Sequence, residues 1–245
     1  MQDNRRTAIV TGASRGIGAA VAERLAGDGF AIVVNYSGDA APAKQLVSRI
    51  EATGGLAIAC KADVADPTSV ATLFDAAEAA FGGVDVLVNN AGIMTLATIA
   101  DSDNALIDRH LAINLKGPIN TMREAAKRLR NGGRVVNFSS SVVGLYQPTY
   151  GVYAATKAGV EALTHVFSKE LRGRDITVNA VAPGPTATRL FLDGKDRKTV
   201  ETIAGMAPLG RLGEPGDIAA VVAFLVGPDG GWVNGQILRA NGGVI

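Results

Sequence analysis

Short apolar runs alternate with longer amphipathic segments along almost the whole chain. Residues 8–10, 31–35, 56–59, 84–89, 134–138, 177–181 and 236–238 are dense in Val, Ile, Leu and Ala. Near-continuous hydrophobicity over so few residues predicts strands buried on both faces. Between them, residues 18–28, 41–53, 67–81, two segments within 102–130, 153–171 and 217–225 carry apolar positions at helical spacing. This alternation predicts an α/β fold: a single-domain, doubly wound (Rossmann) parallel sheet of about seven strands with helices on both faces. Its ligand crevice should lie at the carboxyl ends of the strands. Residues 189–213 interrupt the pattern, mixing Phe191 with Lys195, Arg197 and Lys198.

Composition narrows the picture. The 245 residues are 47% apolar, with no Pro/Ser-rich linker, repeat or charge block, so one domain over residues 1–245 is expected. A formal net charge of +1 creates no general field for nucleic acid or an anionic membrane, so any anion must be caught locally. The opening residues, Met1 to Arg6, are polar and lack the apolar core of a secretion signal. No stretch approaches the ~18 apolar residues of a membrane span. A soluble, cytoplasmic protein with neither a nucleic-acid nor a membrane partner is therefore expected. Cys60 stands alone, which excludes an internal disulfide and a cysteine metal cluster. His110 and His165 fall on predicted helices without partners at metal spacing; they are assigned to packing or surface, and no metal site is expected. Trp232 is read as a packing or interface residue.

Three stretches carry candidate chemistry. After the first strand come Thr11, Gly12, Ala13, Ser14, Arg15, Gly16, Ile17 and Gly18, opening a helix. Glycines there let the backbone approach a pyrophosphate, and the helix N-terminus aims its free amides at that charge. The spacing is G-x-x-x-G-x-G, so the general G-x-G-x-x-G fingerprint is not met. At the end of the second strand, where an acidic residue would repel a ribose 2′-phosphate, the chain instead has Asn35 and Ser37, with Asp39 arriving late. With Arg15 nearby, NADP(H) is expected over NAD(H). Finally, Tyr153 and Lys157 are one helical turn apart, a phenol and an ammonium on one face, so the lysine should acidify the tyrosine.

Together with Asp63 and Val64, Asn90, Ala91 and Gly92, Asn114, the serines 139 to 141, and Pro183 and Gly184, these residues resemble the short-chain dehydrogenase/reductase family over essentially the whole chain. The resemblance implies hydride transfer between nicotinamide and a carbonyl or alcohol carbon, with Tyr153 as general acid/base and Lys157 holding the nicotinamide ribose. A serine would stabilise the substrate oxygen. Counting back thirteen residues from Tyr153 gives Ser140, whereas reading the serine just before Val142, Val143 and Gly144 gives Ser141; Ser140 is preferred because it lies three residues past Asn137. Asn114, a polar residue in an apolar helix, should distort it and help hold a relay water. Asp63 and Val64 would face the adenine, and Asn90, Ala91 and Gly92 the cofactor ribose. Pro183, Gly184, Thr186 and Thr188 would cover the nicotinamide, and residues 189–213 would form a mobile substrate lid. The implied partner is a small carbonyl or alcohol substrate, in a homo-oligomer that is by default a tetramer. The chain is similar to 3-oxoacyl-carrier-protein reductases, with Arg128, Arg130, Arg172 and Arg174 as candidate docking cations, and to naphthol and carbonyl reductases. A cofactor sensor or scaffold without turnover is the alternative from another class.

Overall fold

In the computed structural model, which describes residues 5–245, the apolar runs lie side by side in one parallel sheet. The polar opening, residues 1–4, lies outside the described residues. The strands β1 (Thr7–Val10), β2 (Ala31–Tyr36), β3 (Leu56–Lys61), β4 (Val84–Asn89), β5 (Leu129–Phe138), β6 (Thr177–Pro183) and β7 (Ile237–Ala240) take the order β3-β2-β1-β4-β5-β6-β7. The helices are α1 (Gly16–Gly27), α2 (Ala41–Ala52), α3 (Pro67–Phe81), α4 (Asn104–His110), α5 (Gly117–Arg128), α6 (Val142–Leu145), α7 (Gly151–Glu170), α8 (Arg189–Leu192), α9 (Arg197–Met206) and α10 (Pro215–Val226). The fold is the doubly wound α/β architecture expected from the pattern.

Successive side chains of a strand point to opposite faces, so one continuous apolar run feeds two cores. Val10, Ile32, Val34, Val86, Val88 and Val181 pack on one face with Leu25 of α1, Leu46 of α2 and Val222 of α10. Ile9, Val33, Leu87, Val135 and Val178 pack on the other with Phe74 of α3, Met122 of α5 and Phe167 of α7. Both layers are closed to solvent, with Ile9, Ile32, Leu73 and Leu225 fully buried. β1 pairs with β2 on one side and with β4 on the other, so the winding reverses between them. The carboxyl ends of β1 and β4 therefore open a crevice at the switch point.

Three departures from the sequence pattern have local causes. Residues 102–130 form one helical path in three parts, α4, a widened π turn over Leu111–Lys116, and α5. β5 starts at Leu129, five residues earlier than its apolar run, because Leu129 pairs with Val84 across a register irregularity. Residues 189–213 contain α8 and α9, neither of which buries a residue in the core, so they lack the core-facing stripe of the other helices. Among the described residues no helix is long and apolar enough to cross a membrane.

Candidate active site

The turn after β1 is shaped by two glycines with positive φ, Gly12 (61°) and Gly16 (57°). A Cβ on Gly12 would lie 2.9 Å from Ala91 Cα, and one on Gly18 2.4 Å from Asn90 Nδ2, so the turn is sealed against the segment after β4. Hydrogen bonds fix that seal: Asn90 Nδ2 donates to Thr11 O (2.9 Å) and Gly12 O (3.1 Å), and the amides of Asn90 and Ala91 both donate to Thr11 Oγ1 (3.0 Å). Helix α1 then opens without a side-chain cap, whereas Asp66, Asp103 and Asp196 cap α3, α4 and α9. Its first-turn amides are left for an anion, and the bare glycine cradle leaves room for one.

From this turn a cleft of about 570 Å³ runs across the end of β2. It is lined by Gly12, Ser14, Arg15, Gly16, Ile17, Asn35, Ser37, Asp63, Val64, Asn90, Ala91, Gly92 and Thr188, all anticipated, while Gly18 lies buried behind the turn. Asn35 needs correcting. Its Oδ1 accepts from Gly12 N (3.1 Å) and its amide donates to Cys60 O and Ala62 O (3.3 and 3.0 Å). Buried and spent on backbone, it clamps the glycine turn to β3 and has no donor left for a ligand. Asp63 makes a local turn through Ala65 N (2.9 Å), and the cap before Pro67 is Asp66. Arg109 and Arg189 also line the cleft and were not anticipated; they arrive on α4 and α8, far apart in sequence from the glycine turn.

A second cavity of about 340 Å³ adjoins it, sharing Ile17, Asn90, Gly92 and Thr188. Ser140, Tyr153 and Lys157 meet here, with Pro183, Gly184 and Thr186 on the same wall. The three serines separate clearly. Ser139 donates to Glu161 Oε1 (2.6 Å), and buried Ser141 donates to Ala182 O (3.3 Å) while accepting from Asn241 Nδ2 (3.1 Å). Of the three, only Ser140 acts on Tyr153, where its hydroxyl favours the ionised phenol; it also accepts from Val142 N (3.4 Å). Lys157 lies 5.7 Å from the Tyr153 ring centroid and donates to Phe138 O (2.7 Å).

The expected acidification of Tyr153 by Lys157 is not met within the protein's own groups. Loss of solvation dominates both side chains, pushing Tyr153 up to about 12, against a lowering by Ser140, and Lys157 down to about 8. Each group is thereby driven toward its neutral form.

Asn114 sits in the widened turn, as the sequence suggested, and its amide brackets one residue of the cleft wall. Its Oδ1 accepts from Ile93 N (2.8 Å) and its Nδ2 donates to Ile93 O (2.9 Å). One turn earlier, fully buried His110 accepts at Nε2 from Thr95 N (3.1 Å), while Nδ1 bonds Leu106 O (2.8 Å), fixing the neutral tautomer. The pair hangs residues 93–95 on the helix. A lone histidine offered no sequence sign of this, because its partner is a backbone amide. His110→Phe, which keeps the ring but removes the acceptor, should raise KM for the small-molecule substrate several-fold; dinucleotide affinity should stay within about twofold, and calorimetry beside steady-state kinetics checks the split.

After β6, Thr186 Oγ1 donates to Gly184 O (2.9 Å) and Thr188 Oγ1 accepts from Phe191 N (3.3 Å), so both hydroxyls serve the loop itself. Leu190, Phe191, Ile203 and Met206 from residues 189–213 line the second cavity. No group of three metal-ligating side chains occurs among the described residues.

A family model described as enoyl-(acyl carrier protein) reductase matches residues 12–245. A short-chain type dehydrogenase/reductase of Picea abies is 46% identical over 250 residues, covering 98% of this chain and 92% of that protein. An Arabidopsis thaliana protein named NADPH-dependent aldehyde reductase-like protein, chloroplastic, is 45% identical over 98% of this chain and 94% of its own. The crystal structure of a short chain dehydrogenase from Burkholderia cenocepacia J2315 in complex with NADP superposes with a TM-score of 0.93 at 40% identity, over 99% of this chain and 98% of that one. Whole-length similarity of this kind, on a fold and a Ser140, Tyr153 and Lys157 cluster already described, means that the chain belongs to the short-chain dehydrogenase/reductase family of oxidoreductases.

Proposed function

We propose that the protein is an NADP(H)-dependent reductase of carbonyl compounds, running as a secondary-alcohol dehydrogenase in reverse. The observation that carries this is Ser140, Tyr153 and buried Lys157 lining one cavity where it joins the glycine-cradled cleft. The cofactor assignment draws support from the relative named NADPH-dependent and the neighbour solved with NADP.

The residues fit the group. The uncapped start of α1 would take the pyrophosphate, Asp63 and Val64 would face the adenine, and Arg15 with Ser37 would take the 2′-phosphate. Gly92 lines both cavities, and a Cβ there would press on Asn114 Oδ1 at 3.3 Å. When bound, NADPH supplies the hydride. Tyr153, kept protonated by burial, gives its proton to the carbonyl oxygen, and Ser140 donates to the same oxygen as charge develops on it. In the oxidative direction Tyr153 takes the proton back. Lys157 holds the ribose hydroxyls, and Asn114 fixes the wall at Ile93. Residues 189–213 close over the substrate as a lid, and residues 1–245 work as one dinucleotide-binding and catalytic domain.

Arg15→Ala should weaken NADPH binding about tenfold or more and leave NADH nearly unchanged, measured by fluorescence titration of both. An unchanged ratio would remove Arg15 from the 2′-phosphate site.

The acyl-carrier reading is weakened at three of its four candidate docking cations. Arg128 is committed to Glu78 and Asp75 (2.6 and 2.7 Å), Arg130 to Asp85 (3.2 Å), and Arg174 to Asn131 and the carbonyls of Ala126 and Leu129. These arginines cluster around the start of β5, at the end of the sheet opposite the crevice. A sensor without turnover would have no use for Ser140, Tyr153 and Lys157 converging on one cavity. Cytoplasmic residence and a homotetramer remain part of the proposal; chloroplast residence is in the plant relative's name, and exposed Leu111, Ile119 and Val166 offer apolar surface for assembly. NADPH consumption against a panel of aldehydes, ketones and a 3-oxoacyl thioester, with Tyr153→Phe beside it, tests the whole. Tight NADPH binding without turnover on any of them would favour the sensor.

A further inference from the structure

Charge is divided unevenly between the two joined cavities. The nucleotide cleft carries Arg15, Arg109 and Arg189, with Asp39, Asp63 and Asp193. The catalytic cavity is walled by Met94, Val142, Leu145, Tyr150, Phe191 and Met206, and Lys157 is the one charged side chain lining it among the described residues. Lys157 is itself buried, donates to Phe138 O (2.7 Å) and is the group proposed to hold the cofactor's ribose, so it is not a cation set aside for a substrate anion. Arg239 approaches the neighbouring loop, within 3.8 Å of where a Gly144 Cβ would stand, yet it does not line the cavity.

An anionic group entering this space would leave water for neutral partners such as Ser140, Gln147 and Thr186, with no cation beyond the engaged Lys157 to pair it, which is costly. Two thioethers and two aromatic rings instead offer adaptable apolar surface, and the Tyr150 ring stands edge-on to Tyr153, 6.5 Å between centroids. Resting on the proposed reductase function, we infer that the substrates are uncharged, apolar aldehydes or ketones, aryl or medium-chain alkyl, and that a carboxylate or phosphate on the substrate is excluded. Leu145, the last residue of α6, is then a specificity position, since a cation placed there would supply the missing partner.

The test uses purified protein with NADPH and paired substrates that differ by one charge: benzaldehyde against 4-carboxybenzaldehyde, and octanal against 8-oxooctanoate. The expected result is a kcat/KM at least about tenfold higher for the neutral member of each pair, with Leu145→Arg narrowing or reversing the gap. Equal or better turnover of the carboxylated members by the unaltered protein would overturn the inference while leaving the reductase assignment intact. NADPH binding with no turnover of either member, in this assay and in the wider panel, would instead remove the reductase assignment on which the inference stands. Loss of activity in Leu145→Arg by misfolding is recognised from its melting temperature, and Met206→Arg then takes its place.

Discussion

Tyr153→Phe should lower kcat for carbonyl reduction by about 10²–10⁴-fold while leaving NADPH affinity within about twofold. The ring stays, so packing beside Tyr150 is kept; only the hydroxyl is lost. Stopped-flow hydride transfer, with NADPH titration as the control, reads the two separately. An effect under about tenfold would give the proton to another group. The pH profile adds a second check. With Tyr153 pushed up to about 12, the acid stays protonated throughout the working range and cannot itself cause a fall in reduction at mildly alkaline pH. Lys157, pushed down to about 8, loses its charge there. Because kcat/KM reports groups of the free enzyme, it should be level below about pH 7 and fall above about pH 8. Stability moves the other way. Between about 8 and the ordinary lysine value the unfolded chain binds the extra proton, so Lys157's contribution to folding becomes less unfavourable as pH rises through that window.

Ser140→Ala should cost about 10²–10³-fold in kcat, and Ser141→Ala much less. Two neighbouring hydroxyls of one chemistry are separated by what each already holds. Ser141 links Ala182 O to the C-terminal segment through Asn241, so its loss should appear as a lower melting temperature. Ser140 lines the same cavity as Tyr153, where the proposed mechanism puts the substrate oxygen. Single-turnover rates and thermal melts of the two variants make the contrast; a large kinetic loss in Ser141→Ala with Ser140→Ala near normal would exchange the assignments.

Much of this was legible from the order of residues alone. Seven apolar runs read as seven strands because each must be buried on both faces, and that constraint leaves little choice in architecture. The glycine turn was readable because only glycine tolerates the backbone conformation at Gly12 and the close approach of Ala91. Asn114 was readable because asparagine is a poor interior helix residue, and the widened turn is found there. The helices of residues 189–213 were not, because Leu190, Ile203 and Met206 face a cavity, not the core, and a periodicity rule built on core packing does not see them.

The sequence by itself thus determined what local sterics and burial dictate: the strand order's raw material, the cradle, and the pairing of Tyr153 with Lys157 on one helix face. Tertiary structure decided whatever depends on which partner a polar group finds across the chain. Asn35 was claimed by the backbone of β3, His110 by Thr95, Ser139 by Glu161 and Ser141 by Asn241, while Ser140 alone met Tyr153. It also set the balance at Tyr153 and Lys157, where burial outweighed the attraction that spacing suggested. Desolvation grows with everything packed around a charge, and no stretch of sequence contains its own surroundings.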